Sequence, residues 1–448
     1  MKRFRVLGVV VFVTTMFLSL FYTNAFSGEL LHENSLKYIG AFRLPLGRIG
    51  LDVVNHRCEG FDDCVFAYGG LPIAVDPSGN GGEGSIFIGS HVYSQKIAEL
   101  SIPKAIKSNN LNDLNFADVL QGFYDITEGN NKKLLEDMAA SYSGSTLPGG
   151  MFVYGDKLIG SILGYYPNET QIRSHYVSGK ELSKAGDFSG MYQIKSEMGA
   201  RFFAGYMDTI PLAWQEKLGG KAITGTGGVG LQTTTSVGPS AFVFNPEHLV
   251  PEHLGIENPV PSTALMYYTL TNPLVVNKDS KNSMFNATTN IKGMAFPDGY
   301  DSILFFGGIG YGDYCYGIGT TDASLHGTFI PDNTVVNYCY DPSASSKGPH
   351  MYPYRYQVWA YNANDLERVK KGELKPWDVR PYETWTFEMP FKPLNADIQG
   401  TSYDKKNRRL YISQADGDGP APVIHVFEID PPTDRPAPAP PTNLSISQ

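Results

Sequence analysis

Gly70–Pro77 (GLPIAVDP) followed by Ser85–Gly89 (SIFIG) is the stretch on which the reading of this chain turns. A glycine opens a short apolar strand, a polar turn follows, and a second apolar strand ends at another glycine, the pattern of a β-hairpin. The same order returns at Gly150–Asp156 (GMFVYGD) with Leu158–Ser161 (LIGS), at Gly293–Asp298 (GMAFPD) with Ser302–Gly307 (SILFFG), and at Gly400–Asp404 (GTSYD) with Arg409–Ser413 (RLYIS). A second pattern follows the first where both are clear: an alternating strand that runs out into a polar or proline turn. Its instances are Lys96–Pro103 (KIAELSIP), Ala241–Pro246 (AFVFNP), Gln357–Asn362 (QVWAYN) and Ile424–Pro431 (IHVFEIDP).

A hairpin followed by an exit strand, repeated, is what the four-stranded antiparallel blades of a propeller require. The fold class expected is therefore all-β, a single β-propeller. Exit strands end near residues 103, 245, 362 and 430. Taking the shortest gap as one blade and each longer gap as two gives about six blades, within a range of five to seven. Residues 176 to 292 match neither pattern well. Leu36–Leu44 (LKYIGAFRL) alternates but has no hairpin partner nearby, while the last unit ends at Asp430 one strand short. This N-terminal strand is expected to pair with the final blade and close the ring, leaving no free edge there. A β-sandwich or a pair of barrels is the alternative.

Composition agrees with one β-rich unit. The chain has 48 Gly, 30 Pro, 27 Tyr and 25 Phe with only 18% charged residues, which suits short aromatic strands and tight turns better than helices. Helices are expected at Asn364–Gly372, where an asparagine caps and a glycine ends the segment, and at Ile210–Gly220. A helical excursion is expected between Lys107 and Asp137.

The termini set the compartment. Lys2, Arg3 and Arg5 precede an apolar run from Val6 to Tyr22 that ends at Thr23, Asn24 and Ala25, the form of a signal peptide over residues 1–25; an uncleaved anchor is the alternative. Removing those three cations takes the formal net charge from −9 to −12. Such a charge argues against a nucleic-acid partner. No later apolar stretch is long enough for a membrane span, so the expected location is secreted or periplasmic, with cell-surface association open. After the domain at residues 36–430, residues 431–448 form a proline-rich tail whose end resembles the first strand of a fibronectin type III module.

Cys58, Cys64, Cys315 and Cys339 fall into two local pairs, and export favours disulfides Cys58–Cys64 and Cys315–Cys339 over a metal site. Closing the second loop is worth about 3 kcal/mol in the chain-entropy model.

Several phrases resemble an uncharacterised family of secreted bacterial β-propeller-like proteins: Tyr38–Pro45 (YIGAFRLP), Tyr68–Gly70, Ile86–Pro103, Gly238–Pro246 (GPSAFVFNP), His350–Tyr361 and Pro376–Tyr382 (PWDVRPY). The resemblance implies export and a propeller fold. It implies no activity.

Esterase, zinc-protease, nucleotide-binding and haem-attachment motifs are missing from the sequence, which leaves a site assembled from separate blades. The segment from Tyr311 to Tyr356 is dense in Asp313, Tyr314, Tyr316, His326, Tyr338, Tyr340, His350, Tyr352, Tyr354 and Arg355. Tyrosines stack on sugar rings while Asp, His and Arg orient hydroxyls or a uronate carboxylate, so the first reading is a binding face for an extracellular glycan. Asp313, Tyr314, Tyr316, His326 and Tyr354 are its candidate ligand contacts. The structural alternative is that these tyrosines pack between blades.

An enzyme is the second reading. His91 and His350, with Tyr352 or Arg355, would serve a polysaccharide lyase as base and charge stabiliser. A glycoside hydrolase needs two carboxylates about 5 to 10 Å apart, for which Asp62, Asp63, Asp313 and Asp397 are available. A structural or protein-binding surface component is the third. Asp416 and Asp418 resemble half of a Ca²⁺ loop without its remaining ligands, and an acidic glycine turn is the simpler alternative. Arg201, Tyr206, Asp208 and Trp214 are a further tetrad able to frame a pocket.

Overall fold

The hairpin read from Gly70 to Gly89 forms as expected in the computed structural model, which describes residues 28–49, 64–134, 146–164, 171–228, 234–331 and 335–433. With β1 at Leu36–Arg43, the hairpin is β2 (Ile73–Asp76) against β3 (Ser85–Gly89), Ile73 opposite Ile88 and Asp76 opposite Ser85. Its turn is built on the Asp76 side chain, which accepts from the Ser78 N–H (2.9 Å) and hydroxyl (2.7 Å). Asp404 does the same for Lys406 and Asn407 in the last hairpin. Aspartate recurs in these turns because its short carboxylate satisfies backbone donors that no ladder reaches.

Sheet I continues with β4 (Ile97–Ser101) and β5 (Val119–Tyr124). Sheet II is β6 (Thr146–Tyr154), β7 (Lys157–Gly164), β8 (His175–Gly179) and β9 (Ser189–Tyr192). Sheet III is β10 (Met207–Thr209), β11 (Ala222–Thr224), β13 (Ala241–Phe244) and β14 (Ser262–Met266); β12 (Gly227–Gly228) leaves it to pair with the next sheet. Sheet IV is β15 (Asn290–Ala295), β16 (Ser302–Gly310), β20 (Tyr354–Asn362) and β21 (Glu383–Phe387). Sheet V is β22 (Ile398–Asp404), β23 (Arg409–Asp418) and β24 (Ala421–Ile429), with β1 as its fourth strand, Leu36 opposite Ile429 and Arg43 opposite Val423.

The inner strands of the sheets are buried on both faces. All nine residues of β16 are buried, and eight of the nine in β24 are. Near-continuous apolar runs are what a strand covered on both sides needs. Apolar clusters accordingly lie between successive sheets: Phe87 with Met151 (I and II), Phe152 with Phe242 (II and III), Ile223 with Phe305 (III and IV), Tyr356 with Leu410 (IV and V), and Tyr411 with Ile86 (V and I). The first strands are neighbours. Thr401 Oγ1 of β22 donates to the Met294 carbonyl of β15, the Val75 N–H of β2 donates to Ser402 Oγ, and the Gly150 N–H of β6 donates to the Gly205 carbonyl ahead of β10.

Sheets of this kind number five among the described residues, not six. The long gap between the exit strands ending near 245 and 362 holds one sheet. Its surplus is the excursion between β16 and β20, which folds as its own sheet of β17 (Cys315–Thr320), β18 (Asn337–Tyr340) and β19 (Lys347–His350). A disulfide joins Cys315 to Cys339 with their Cα atoms 5.7 Å apart. Cys64 is also disulfide-bonded, and Cys58 lies outside the described residues.

The exit strands prove to be third strands, each with a fourth outside it. Among its described residues the segment from Lys107 contributes β5, short 3₁₀ turns and the start of a helix at residues 133–134, and its remainder lies outside the described residues. Two α-helices lie wholly within the described residues: α1 (Leu212–Leu218) and α2 (Ala363–Lys370). The cap of α2 is Asn362, whose side chain accepts from the Asn364 N–H. No helix among the described residues is long and apolar enough to cross a membrane. The signal segment and the tail beyond Thr433 lie outside them.

Candidate functional site

Where β15 and β22 begin, their side chains meet the end of β23. Lys292 Nζ lies 2.7 Å from Asp397 Oδ2 and 3.4 Å from Gln399 Oε1, while Asn290 Nδ2 donates to Asp397 Oδ1 at 3.2 Å. Three register shifts gather at this end: between Ile291 and Gly293, between Ile398 and Gly400, and between Gln414 and Asp418. Bulges re-aim side chains out of strict alternation. Asp416 sits in the last of them with φ of 52°, a left-handed conformation that aspartate tolerates better than most residues.

The two aspartates are differently placed. Asp397 is held by a cation and an amide. Burial, and then the negative charge of Asp397, push the Asp416 carboxyl above its ordinary value, against the opposing pull of Lys292 and a hydrogen bond with Asn395. A carboxylate held by a cation, near one that resists ionisation, is an arrangement for acid–base chemistry.

A buried polar chain backs this pair. Gln414 Nε2 donates to the Tyr356 hydroxyl (3.0 Å) and the Pro390 carbonyl (2.9 Å), while its Oε1 is 3.1 Å from His425 Nε2. His425 Nδ1 is 3.1 Å from the Tyr38 hydroxyl. Burial lowers the His425 pKa to about 3, so the ring is neutral. One tautomer satisfies every atom: Nε2–H donates to Gln414 and Nδ1 accepts from Tyr38. The chain links β1, β24, β23 and β20 behind the aspartates. Tyr356 feels both of them; burial raises its hydroxyl pKa, and the charges of Asp397 and Asp416 add to the effect.

The excursion grows from the same corner. Gly308 lies near the end of β16, and a β-carbon placed on it would meet the Ala396 carbonyl at 2.6 Å, directly before Asp397. Within the excursion, His350 Nδ1 donates to Asp341 Oδ2 (2.8 Å), His350 Nε2 donates to the Ser346 carbonyl (3.1 Å), and the Tyr354 hydroxyl donates to Asp341 Oδ2 (2.6 Å). Burial alone would lower the His350 pKa, but the hydrogen bond and charge of Asp341 raise it. Tyr352 packs edge-on against Tyr340 and Tyr354, and Arg355 stacks on Tyr311 at 4.4 Å. Tyr316 is 52% exposed, Asp313 and His326 are exposed, and His326 Nδ1 accepts from the Tyr340 N–H. Tyr314 is half-buried beside Asp279.

The structure thus brings His350 and Tyr354 together on Asp341, with Tyr352 packed against Tyr354. His91 belongs to the loop after β3, buried against Tyr68 and Tyr93, and accepts from the Tyr93 N–H at 3.2 Å. His91 and His350 have no partner in common among their described contacts. Asp418 is engaged by Arg43, Nε to Oδ2 at 2.7 Å and Nη2 to Oδ1 at 3.1 Å, while Asp416 bonds Asn395 and feels the charge of Asp397. Asp62 and Asp63 lie outside the described residues. Of the tetrad, the Tyr206 hydroxyl bonds the Thr226 and Ser240 carbonyls, Asp208 accepts from Thr209 and Phe296 N–H groups, and Trp214 is core.

No family model and no curated protein matches the chain. It bears a distant likeness to solved structures. A glycosyl hydrolase from Bacteroides ovatus superposes with a TM-score of 0.40 at 10% identity, over 91% of this chain and 98% of that one. An exo-1,5-alpha-L-arabinanase from a bovine ruminal metagenomic library gives 0.39 at 8%, over 81% and 94%. An alpha-L-arabinofuranosidase from Lactobacillus brevis gives 0.33 at 9%, over 79% and 88%. At these scores the likeness decides neither the activity nor any residue's role.

Lys292, Asn290, Gln414 and Tyr356 were not visible as site residues in the sequence. Asp397 and Asp416 were, but in different roles: one as a loose carboxylate, the other as half of a metal loop. The signal that they belong together is spatial, since β22 and β23 are hairpin partners and the Asp416 carboxyl feels the charge of Asp397.

Proposed function

We propose that this protein is an exported glycan-cleaving enzyme of the hydrolase type, with Asp416 as general acid and Asp397 as base or nucleophile. The observation that carries the reading is the desolvated Asp416 carboxyl near an Asp397 bonded by Lys292 and Asn290. In the role assigned, Asp416 gives its proton to the glycosidic oxygen as the bond breaks, and Asp397 directs water or its own oxygen to the anomeric carbon. The five sheets are read as blades of one propeller closed by β1, which puts the aspartates at the mouth of the central channel. Ligands of β-folds of this kind gather at such mouths. Exposed Tyr316 and the Tyr340–Tyr352 pair extend the face on which a sugar chain would lie, with Asp313, Tyr314, His326 and Tyr354 around them. The disulfide in the excursion supports an oxidising, extracytoplasmic compartment.

The test is release of reducing ends from a panel of plant and bacterial polysaccharides, with absorbance for unsaturated products read in parallel. Asp397→Asn and Asp416→Asn should each lower turnover by about a hundredfold or more. Unsaturated products depending on His91 or His350 would replace the hydrolase with a lyase. Turnover that survives both asparagine variants, or binding without turnover of any glycan, would remove the enzyme reading in favour of a glycan-binding propeller.

A further inference from the structure

Tyr68, Gly69 and Gly70 lead into β2, and residues 90–95 follow β3. The two glycines press the first of these loops into place. A β-carbon on Gly69 would meet the Ser90 carbonyl oxygen at 2.6 Å, and one on Gly70, whose φ is 94°, would meet Ser413 Oγ of β23 at 2.5 Å. The Tyr68 N–H donates to the Pro420 carbonyl at 2.7 Å, in the turn of the β23–β24 hairpin that carries Asp416. Tyr68 itself has φ of 53°, a left-handed conformation that a bulky side chain keeps only where its surroundings enforce it.

These loops stand at the aspartates' end of the fold. β2 and β22 run side by side in one direction: a β-carbon on Gly400 would touch Ile73 Cγ2 at 3.0 Å, and the Val75 N–H donates to Ser402 Oγ at 2.9 Å. The start of β2 is therefore level with the start of β22, which directly follows Asp397. Tyr68 is 59% exposed and Tyr93 71%, while His91 is buried against both, edge-on to Tyr68 at 5.8 Å and tilted to Tyr93 at 5.4 Å. His91 Nδ1 accepts from the Tyr93 N–H at 3.2 Å. A ring nitrogen that accepts carries no proton, so the imidazole proton is on Nε2, and none of the described contacts uses that N–H.

We propose that Tyr68 and Tyr93 form a sugar-binding platform on the sheet I side of the aspartates, with His91 Nε2–H donating to a hydroxyl of the sugar seated there. The proposal deepens the reading of the aspartate corner as a glycan-cleaving site and rests on it. An exposed aromatic face has apolar area to bury, which the C–H face of a sugar ring covers, and the ring's hydroxyls then need a polar partner at the rim. The loop is pinned before any ligand arrives, so little ordering is left to oppose binding. The excursion with exposed Tyr316 grows from sheet IV, on the other side of sheet V. A glycan lying across sheet V past Asp397 and Asp416 then has tyrosines on either side of the bond to be cut.

The test titrates the full chain carrying Asp416→Asn, by calorimetry, with oligosaccharides of arabinose, xylose, galactose, mannose, glucose and galacturonate, each as a disaccharide and as a longer chain. At least one longer chain should bind more tightly than its disaccharide. Tyr68→Asn combined with Tyr93→Ala should weaken binding of that longer chain about tenfold or more, at roughly threefold to tenfold per ring. Asparagine is chosen at 68 because it tolerates the left-handed backbone, and both side chains are exposed, so the variant should melt with its parent. Tyr68→Phe with Tyr93→Phe should keep the affinity, because the rings and not their hydroxyls make the contact. His91→Phe should cost the same chain about threefold to tenfold, and an unchanged affinity removes the donor. In the active enzyme, loss of both rings should raise KM for the longer chain by a similar factor. The proposal is overturned when none of these oligosaccharides binds, when affinity for the longer chain survives loss of both rings, or, should that variant not fold, when Tyr93→Ala alone leaves affinity and KM unchanged. Turnover separates the two readings. Cleavage that needs Asp397, with a KM indifferent to Tyr68 and Tyr93, keeps the hydrolase and removes the platform. Binding that needs both rings, with no cleavage of any glycan, does the reverse.

Discussion

His425 provides a quantitative test of the buried chain behind the aspartates. Its ring is buried between Tyr38 and Gln414, and burial lowers its pKa from 6.5 to about 3. A folded value below the unfolded one means that the unfolded chain takes up a proton first as the pH falls. Stability from this group is therefore intact above about pH 6.5 and is lost progressively toward pH 3. At pH 4.5 the unfolded histidine is almost fully protonated and the folded one almost not at all. Two pH units at about 1.4 kcal/mol each then give a loss of about 3 kcal/mol relative to pH 7. His175, also lowered to about 3 by burial, adds to acid lability, while Asp208, raised to about 6 by burial, opposes it. Both are common to wild type and His425→Gln, so the comparison isolates His425. Urea unfolding at pH 7 and pH 4.5 should show the variant losing about 3 kcal/mol less than wild type over that interval, even though its stability at pH 7 is lower for want of the Tyr38 and Gln414 bonds. Equal losses in the two proteins would refute the assignment of a neutral, desolvated imidazole.

Two further outcomes follow from the same geometry. Lys292→Met removes the cation that steadies Asp397 and opposes the rise at Asp416, so residual activity should fall and its alkaline limb should move to higher pH, read from a kcat/KM profile. Replacing Cys315 and Cys339 together by serine should free the excursion, with about 3 kcal/mol of local stability lost. Hydrogen exchange should rise in β17 to β19 and stay unchanged in β23; a uniform rise across the chain would contradict the excursion's independence.

The glycine-bounded apolar hairpins were legible because their turns are local: Asp76 and Asp404 close their own chain reversals within a few residues. The pairing of Leu36–Arg43 with the last strand was legible for a different reason, since an alternating strand with no neighbour and a terminal unit one strand short each lack what the other supplies. The count of sheets was not legible. Chain length between exit strands cannot tell a second sheet from an excursion, and the Tyr-rich segment from Tyr311 to Pro353 occupies as many residues as a sheet while packing on its own disulfide.

By itself, the sequence determined the all-β class, the hairpin units and the local cysteine pair at 315 and 339, because alternation, turn chemistry and short loops act between residues close in the chain. Only the tertiary structure decided which charges meet. Lys292 and Asp397 are joined across two sheets, Arg201 is buried without a salt bridge among the described residues, and His350 turns to Asp341 rather than to His91. Each outcome depends on which face of a bulged strand a side chain leaves and on what the neighbouring sheet presents there. Such proximities, and the burial that shifts Asp416 and His425, exist only after the sheets have packed.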